Sequence, residues 1–321
     1  MEDCKMKCPC CGSRRTMILY RNMKDKMHFV KGNFFLMKCE DCELEFIKPL
    51  LNEKQLAKYY PAQDYYSFKK NKLLSIYHKI SAYYYSGKSR VANILLYPLK
   101  TILSRYYTKN CKGKRILEIG CGNGFQLEVY KKYGLKTRGL EPYGPTLTER
   151  EKNLGIKRGS IGKADYPNNY FDYIIMREVL EHIPNQKEVI EKCKKWLKLE
   201  GLLIITVPNT KSLWKKAFKK NWYGYDVPRH VYDYNPKSIS FFLEKEGFKI
   251  NKIQVFDLPY MLYGSIKFSN GELKKKKELN ILLKLIFTPI SLIASLLNQG
   301  SLMEIEAQKN DKSKSKHNYR A

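Results

Sequence analysis

Apolar residues in this chain change their spacing from one segment to the next, and each spacing predicts a type of element. Short apolar runs predict strands at Met17–Tyr20, Phe34–Lys38, Arg115–Ile119, Thr137–Leu140, Ile156–Arg158, Tyr170–Met176, Gly201–Val207, Lys249–Phe256 and Ser301–Ala307. Helical spacing follows two of these runs, at Phe125–Tyr133 and at Ser238–Glu246, which Gly247 closes. Beyond residue 110, strands alternate with helices, so the sequence predicts an α/β fold built on a largely parallel sheet.

The strand at Arg115–Ile119 leads directly into three closely spaced glycines. These are Gly120, Gly122 and Gly124, and helical spacing resumes immediately after them. Strand, glycine turn and helix are typical of the first unit of a nucleotide-binding fold. A dinucleotide fingerprint would require glycine at the position of Phe125. The spacing G-x-G-x-G therefore favours a ligand without phosphates, such as S-adenosylmethionine (SAM).

An acidic residue at the end of the second core strand strengthens this prediction. Glu141 lies about 20 residues beyond the glycines, where a carboxylate can accept hydrogen bonds from both hydroxyls of a ribose. The glycine loop alone is a weak signal. The loop together with Glu141 predicts a site for a nucleoside-containing cofactor.

Residues 1–48 carry two Cys-x-x-Cys pairs. Each pair can place two thiolates on one side of a tight turn, and two pairs together form a tetrahedral zinc site. We predict a zinc ribbon with a structural ion, because four thiolates leave no open position for catalysis. Cys10 lies at the wrong spacing, and the expected ligands are Cys8, Cys11, Cys39 and Cys42.

Residues 49–110 are rich in tyrosine and show helical spacing. We predict two helices, Leu73–Tyr85 and Val91–Leu103, in a helical cap or linker that covers the cofactor cleft and shapes a substrate pocket. An alternative stays open, in which the tyrosines are ordinary packing residues with solvated hydroxyls.

The segment Leu279–Leu297 lies in an apolar helical insertion at about 261–299. Its length, with Lys284 and Pro289 inside it, argues against a span across a bilayer. A packed core helix and a surface helix that touches lipid both remain possible. Polar residues spaced by three or four form a narrow stripe, namely Asn280, Lys284, Thr288, Ser291, Ser295 and Asn298.

Composition adds a strong positive charge to this picture. The hydrophobic fraction of 43% excludes a disordered chain, and the formal net charge of +29 favours anionic surfaces as partners, unless the lysines only solubilise the fold. Nine cysteines, several of them paired, indicate a reducing compartment and metal binding. The polar N-terminus shows no secretory signal, so we expect a cytoplasmic protein, with peripheral membrane association open. Residues 311–321 are predicted to be a basic disordered tail.

Several segments together resemble class I SAM-dependent methyltransferases. They are LEIGCGNG, FDYIIMREVLEHI, LKLEGLLIITVPN and DVPRHVYDYNPKSISFFLEKEGF, joined by Glu141. More narrowly, the chain looks like bacterial enzymes with an N-terminal zinc ribbon, over about residues 8–310. The resemblance implies a Rossmann-like seven-stranded sheet whose last strand is antiparallel, with SAM across the carboxyl ends of the strands. It places the methyltransferase domain at 111–310, after the zinc ribbon at 1–48 and the cap or linker at 49–110.

The same resemblance implies a set of cofactor contacts. The three glycines would hold the methionine part of SAM, Glu118 would orient their loop and, through water, the SAM ammonium, and Glu141 would bind the ribose. Many relatives have an acid after the third strand that contacts the adenine amine. This chain lacks it there, and Asp165 comes late in the loop. The expected cofactor-binding residues are Glu118, Gly120, Cys121, Gly122, Gly124, Glu141, Ser160, Ile161 and Arg177.

Catalytic candidates follow the fourth core strand. Glu178, Glu181 and His182 lie within about one helical turn, and His182 could act as a general base. His230 is a second base candidate, and Arg229 beside it could bind an anionic substrate group; in an equally weighted alternative, this segment only anchors its loop by hydrogen bonds. The pattern Glu-x-x-Glu-His is also similar to the divalent-metal site of quinone-pathway O-methyltransferases and small-RNA 2′-O-methyltransferases. Mg or Mn at Glu178, Glu181 and His182 stays open, as does a purely structural role.

We therefore expect a SAM-dependent methyltransferase that acts on a small molecule, a sugar or a lipid-linked acceptor, with O-methylation favoured. One alternative is an RNA methyltransferase that uses the basic surface and the zinc ribbon, although the sequence shows no recognisable RNA-reading signature. Another is a non-catalytic SAM-binding scaffold, against which the intact glycine loop and Glu141 argue.

Overall fold

The computed structural model describes residues 6–60, 72–97, 105–142, 146–270 and 281–310. Three expectations lie outside these residues: the tail at 311–321, the end of the helix predicted at Val91–Leu103, and the part of the polar stripe formed by Asn280 and the Lys284 side chain.

Strands and helices alternate through most of the described residues. The strands are β1 (Thr16–Met23), β2 (Phe34–Cys39), β3 (Glu45–Lys48), β4 (Arg115–Ile119), β5 (Lys136–Glu141), β6 (Ile156–Arg158), β7 (Phe171–Arg177), β8 (Leu197–Pro208), β9 (Tyr232–Asp233), β10 (Phe248–Phe256) and β11 (Leu302–Lys309). The helices are α1 (Glu53–Leu56), α2 (Lys72–Ser86), α3 (Arg90–Leu96), α4 (Phe125–Lys132), α5 (Glu149–Asn153), α6 (Gln186–Trp196), α7 (Leu213–Phe218), α8 (Pro236–Lys245), α9 (Pro259–Asn270) and α10 (Ile281–Leu296).

The large sheet has seven strands in the order β10-β11-β8-β7-β4-β5-β6. Strands β6, β5, β4, β7 and β8 are parallel, whereas β11 runs antiparallel to both β8 and β10. This order confirms the predicted seven-stranded sheet with an antiparallel last strand. Its central strands are buried on both faces, which is why they appear in the sequence as continuous apolar runs.

Strand β8 is longer than the sequence indicates. The prediction placed a turn at residues 199–201 and started the strand at Gly201, but the structure begins it at Leu197. Leu197 pairs with Phe171, and the register then shifts before Leu202 pairs with Tyr173. A bulge therefore carries the polar residues that we took for a turn, and the turn prediction is wrong.

A second, four-stranded sheet has the order β1-β2-β3-β9. The two strands predicted in residues 1–48 are present, and β3 was missed. The fourth strand, β9, comes from the loop region after β8, where Tyr232 pairs with Phe46 and Asp233 with Glu45. The N-terminal sheet is thus completed by a two-residue strand from the segment 111–310, and this junction lies next to the candidate site.

Helix α10 packs against α9 and β10 through its polar stripe. Ser291 and Ser295 are buried, and the backbone N–H of Asp257 donates to Oγ of Ser295 at 2.8 Å. The opposite side, which includes Ile286 and Ile293, is exposed. Of the two alternatives, the structure supports a surface helix. In the part of the chain that is described, no helix has the length and apolar character that crossing a membrane requires.

Candidate functional site

The glycine loop joins β4 to α4 in a backbone conformation that side chains resist. Gly120, Gly122 and Gly124 all have positive φ, at 71°, 53° and 73°. A Cβ on Gly120 would lie 2.3 Å from Cγ2 of Val179, so this position is also sterically restricted. A backbone hydrogen bond ties the loop to strand β5: the N–H of Gly120 donates to the carbonyl of Leu140 at 2.8 Å.

A cavity of about 1280 Å³ opens over the carboxyl ends of the parallel strands. Eight of the nine predicted cofactor residues line it, and Gly124 does not. Three of the four catalytic candidates line it as well, and Glu181 does not. The lining members are Glu118, Gly120, Cys121, Gly122, Glu141, Ser160, Ile161, Arg177, Glu178, His182 and His230. One cavity therefore brings together residues from the loops after all five parallel strands.

Glu118 fits a cationic ligand group at the floor of this cavity. The residue is 4% exposed, and its Oε2 has no hydrogen-bond partner among the residues described. Burial raises the pKa of Glu118 to about 7, although the nearby Arg177 opposes the shift. A buried carboxylate without a full set of donors is stabilised when a cation such as the SAM ammonium, or its water, comes close.

Glu141 fits the ribose-binding position. Its Oε2 accepts a hydrogen bond from the backbone N–H of Gly122 at 2.8 Å, and the side chain is buried. The carboxylate thus ties the end of β5 to the glycine loop and still faces the cavity. This arrangement suits an acid that receives two vicinal hydroxyls.

Near Ser160, the cavity wall contains a carboxylate that the sequence did not reveal. Asp165 is exposed and is not part of the cavity wall, whereas Glu53 of α1 is. The hydroxyl of Ser160 donates to Oε2 of Glu53 at 3.3 Å. The two residues are 107 positions apart, so no local sequence pattern could have linked them.

Glu178 begins the loop after β7 with a positive φ of 53°. Its Oε1 accepts a hydrogen bond from the hydroxyl of Tyr260 at 3.0 Å, and its N–H donates to the carbonyl of Thr206. Burial raises the pKa of the Glu178 carboxyl, which makes the carboxylate a stronger base than usual. Tyr260 belongs to α9 and was not among the predicted site residues.

His182 and His230 meet edge to face, with ring centroids 4.5 Å apart. Nδ1 of His182 lies 2.8 Å from the hydroxyl of Tyr60 and 3.1 Å from the carbonyl oxygen of Arg229. Because a carbonyl only accepts, the tautomer that makes this bond carries hydrogen on Nδ1 and leaves Nε2 as an acceptor. Burial and the neighbouring His230 lower the pKa of His182 to about 3, so this ring is neutral.

His230 has the opposite electrostatic environment. Burial alone would lower its pKa, but Asp233 and the charges of Glu181 and Asp226 raise the pKa of His230 to about 9. Its Nδ1 lies 2.7 Å from the carbonyl oxygen of Gly224. Since a cationic ring cannot accept a proton, the structure argues against His230 as the general base at neutral pH.

Glu181 lies behind the cavity wall. It is completely buried, and neither carboxylate oxygen has a hydrogen-bond partner among the described residues. Burial raises the pKa of Glu181 to about 8, and His230 lowers it in part. One ligand atom each from Glu181, His182 and His230 lies within 4.8 Å of the others, whereas Glu178 is outside this group. The three residues that lie close enough to hold a metal ion therefore differ from the predicted ligands Glu178, Glu181 and His182.

Arg229 does not line the cavity, so of the two alternatives the structure supports loop-anchoring hydrogen bonds over a substrate contact. Its Nε and Nη2 donate to the carboxylate of Asp226, and both Nη atoms donate to Asp25. The remaining Nη1 hydrogen meets the carbonyl of Tyr59 at 3.2 Å. All five guanidinium donors are used inside the protein, where they fasten residues 25 and 59 to the loop that carries His230.

The four predicted zinc ligands converge. One sulfur atom from each of Cys8, Cys11, Cys39 and Cys42 lies within 4.8 Å of the others. The Sγ atoms of Cys8 and Cys42 are 3.5 Å apart, as are those of Cys11 and Cys39. A tetrahedral ion with Zn–S bonds of about 2.3 Å separates its sulfurs by about 3.8 Å, so the donor set fits zinc.

Comparison with known proteins agrees with this geometry. A family model described as a methyltransferase domain matches residues 92–253. The ubiquinone biosynthesis O-methyltransferase of Glaesserella parasuis is 32% identical over 127 residues, which cover 36% of this chain and 54% of that protein. The phosphoethanolamine N-methyltransferase of Plasmodium falciparum is 28% identical over 120 residues, covering 34% and 45%. The chain thus spans about half the length of the curated relatives it matches.

Among solved structures, a SAM-dependent methyltransferase from Archaeoglobus fulgidus is similar, with a TM-score of 0.45 and 20% identity. The alignment covers 77% of this chain and all of that one.

Proposed function

The chain belongs to the methyltransferase domain family, and on that premise we propose that it transfers the SAM methyl group to a hydroxyl of a small molecule, a sugar or a lipid-linked acceptor. The observation that supports this is the single cavity, which joins the glycine loop and Glu141 at one end to Glu178 and His182 at the other. The relatives named as ubiquinone O-methyltransferases favour O-methylation, at low identity.

The residues present fit SAM. Glu118 would face its ammonium, Glu141 its ribose, and Ser160 with Ile161 its adenine, where Glu53 would supply the acid missing after β6. When bound, SAM supplies an already activated methyl group on its sulfonium. The protein then has to orient the acceptor oxygen in line and remove its proton.

Glu178 is the base we assign to that proton. Its buried carboxylate is more basic than usual, and Tyr260 fixes its orientation. His182 is neutral and keeps Nε2 as an acceptor, which would bind a different hydroxyl of the acceptor molecule and so position it. His230, a cation in the cavity wall, lies beside His182 and fixes the position of its ring. An aromatic wall that includes Tyr60 and Tyr223 suits an acceptor with an apolar or aromatic part.

The test of this function uses methyl-labelled SAM with three fractions of a bacterial extract: water-soluble small molecules, lipids and total RNA. We expect label in a small-molecule or lipid product. The Glu178→Gln variant should be about 10²-fold slower with unchanged affinity for S-adenosylhomocysteine, because the base is lost and the cofactor end is intact. The exposed Glu191→Gln variant serves as the control.

Label in RNA instead would favour the alternative of an RNA methyltransferase. Binding of S-adenosylhomocysteine with no labelled product in any fraction would favour a SAM-binding scaffold.

We further propose that Cys8, Cys11, Cys39 and Cys42 hold one structural zinc ion. The four-stranded sheet they anchor is too small to be stable alone, and metal binding contributes directly to folding in such units. We expect one zinc per chain by elemental analysis, and loss of that zinc in Cys42→Ser. The matched control is Cys10→Ser, which alters a buried ribbon cysteine outside the predicted set and should keep the zinc. Zinc loss in Cys10→Ser would show that the ligand set is wrong.

A cytoplasmic location with peripheral contact to an anionic membrane completes the proposal. A catalytic Mg or Mn has weaker support, because Glu178 does not join the group formed by Glu181, His182 and His230.

A further inference from the structure

Helix α10 has an apolar face that is exposed and a polar face that is buried, which is the opposite of the usual arrangement in a water-soluble protein. From residue 286 to residue 297, every exposed side chain is apolar. The exposed set is Ile286, Pro289, Ile290, Ile293, Leu296 and Leu297, and helical spacing places all six on one side. Solvent-facing positions of a helix on a water-soluble protein are normally polar. The outward face of α10 therefore requires a covering surface.

Hydrogen bonds on the buried side of α10 fix which face of the helix points outward. Ser295 Oγ accepts from the N–H of Asp257 and donates to the carbonyl of Ser291. Asp257 Oδ1 accepts from the N–H of Ser301, and its Oδ2 accepts from Nε1 of Trp214. Rotating α10 to hide its isoleucines would break the hydrogen bond between the N–H of Asp257 and Oγ of Ser295, and would move the buried Ser291 and Ser295 out of the interior. The apolar face is thus held outward by the fold.

A second helix shows the same exposure. None of the residues of α3 is buried, and the exposed fractions of Val91, Ile94 and Leu95 are 68%, 73% and 72%. Exposed isoleucines continue along α2, at Ile76 and Ile80. Large apolar patches of this kind mark interaction surfaces.

The sequence stretches that contain these helices have no acidic residues. Residues 65–117, which include α2 and α3, contain twelve Lys or Arg and no Asp or Glu. Residues 279–303, which include α10, also lack acidic residues, and the four lysines Lys274–Lys277 come shortly before them in the sequence, between Glu272 and Glu278. In a chain with 31 acidic residues, these two acid-free stretches coincide with the exposed apolar helices. Apolar side chains flanked by cations fit an anionic bilayer, whose headgroups bind Lys and Arg and whose acyl region takes the apolar face.

We propose that α10, with α3 as a second contact, docks this protein on an anionic lipid bilayer, and that the acceptor is a molecule dissolved in that bilayer. The second half rests on the proposed methyl transfer. Each of these helices packs on a neighbour that lines the cavity: α2, next to α3, contributes Tyr77 and His78, and α9, on which α10 packs, contributes Tyr260 and Met261. On this proposal, an apolar acceptor enters the cavity from the side of the protein that rests on the bilayer.

The test is flotation of the full chain with vesicles of phosphatidylcholine and phosphatidylglycerol, in low salt. We expect the wild type to float with the vesicles, and the double variant Ile290→Glu/Ile293→Glu to partition at least tenfold more weakly. The matched control is Phe241→Glu, which adds a charge at an apolar position of α8 that is 42% exposed. This variant should float like the wild type. Vesicles of phosphatidylcholine alone should bind more weakly, because the anionic headgroups are missing.

Three outcomes would overturn the docking proposal. The wild type could stay with the dense fraction. The double variant could float as well as Phe241→Glu, which would mean that charge alone binds. The wild type could form a dimer in light scattering that the double variant loses while neither floats, which would mean that a second copy covers α10. Binding of S-adenosylhomocysteine by each variant establishes that it is folded, and methyl transfer measured in detergent separates a failure of docking from a failure of the proposed function.

Discussion

The Glu141→Gln variant is expected to bind S-adenosylhomocysteine about 10²- to 10³-fold more weakly than the wild type. Glu141 is buried, accepts the N–H of Gly122 at 2.8 Å and faces the cavity, so its charge acts on the loop and on the ligand at once. Hydrogen bonds to a charged group contribute about 1.5–3 kcal/mol each, and two such bonds to a ribose account for the loss. Glutamine keeps the shape but replaces one acceptor by a donor. Isothermal titration measures the affinity directly.

The control for this experiment is Glu149→Gln. Glu149 begins α5, is exposed and pairs with Lys152, so its charge contributes little to a buried ligand. The two variants carry the same change in charge, and a difference between them reports position. An affinity of Glu141→Gln within about threefold of the wild type would contradict the assignment of the cofactor site, as would a wild type that does not bind the ligand.

The residues at the end of the cavity that we assign to the cofactor could be selected from the sequence, because the features that mark them are close together in the chain. Strands β4 and β6 have the predicted bounds, and the glycine loop with Glu141 lies within 22 residues of a single strand–loop–helix–strand unit. Each of these features is specified by neighbours in the chain: apolar runs for buried strands, and positive φ for the glycines.

The residues at the end of the cavity that we assign to the acceptor could be selected only in part, because their contacts join segments that are distant in the chain. Tyr60 meets His182 across 122 positions, Tyr260 meets Glu178 across 82, and Ser160 meets Glu53 across 107. No sequence pattern or residue spacing indicates that these partners meet. They are placed by the pairing of β9 with β3 and by the packing of α9, both of which are tertiary events.

Two histidines that look equivalent in the sequence have opposite pKa shifts in the folded protein. His182 and His230 were both base candidates, yet the pKa of one is lowered to about 3 and that of the other is raised to about 9. The difference comes from Asp233 and Glu181, which face His230. Likewise, the polar stripe of α10 was visible in sequence, but its direction was not, because Asp257 supplies its partner from another element.

The Arg229→Leu variant is expected to lose about 3–5 kcal/mol of unfolding free energy, one of the largest effects of any single change in this chain. All five guanidinium donors are engaged with Asp25, Asp226 and the carbonyl of Tyr59, and the side chain is 2% exposed. Leucine leaves two carboxylates that have lost this buried cation, which is costly in a low-dielectric interior. Denaturant unfolding measures the loss. Arg229→Lys should recover part of it, because lysine restores the charge but has three donors without the planar fork.

The pH dependence distinguishes this ion pair from simple packing. Burial would raise the pKa of Asp226, but Arg229 holds it well below its ordinary value. A carboxyl with a depressed folded pKa stabilises the protein above its unfolded pKa of about 4, and that contribution is lost as the pH falls below it. The gap in stability between the wild type and Arg229→Leu should therefore narrow as the pH falls below about 4. The exposed Arg14→Leu variant should track the wild type throughout. A constant gap would mean that Arg229 acts by filling space, and its ion pair would not be what joins the N-terminal sheet to the loop of His230.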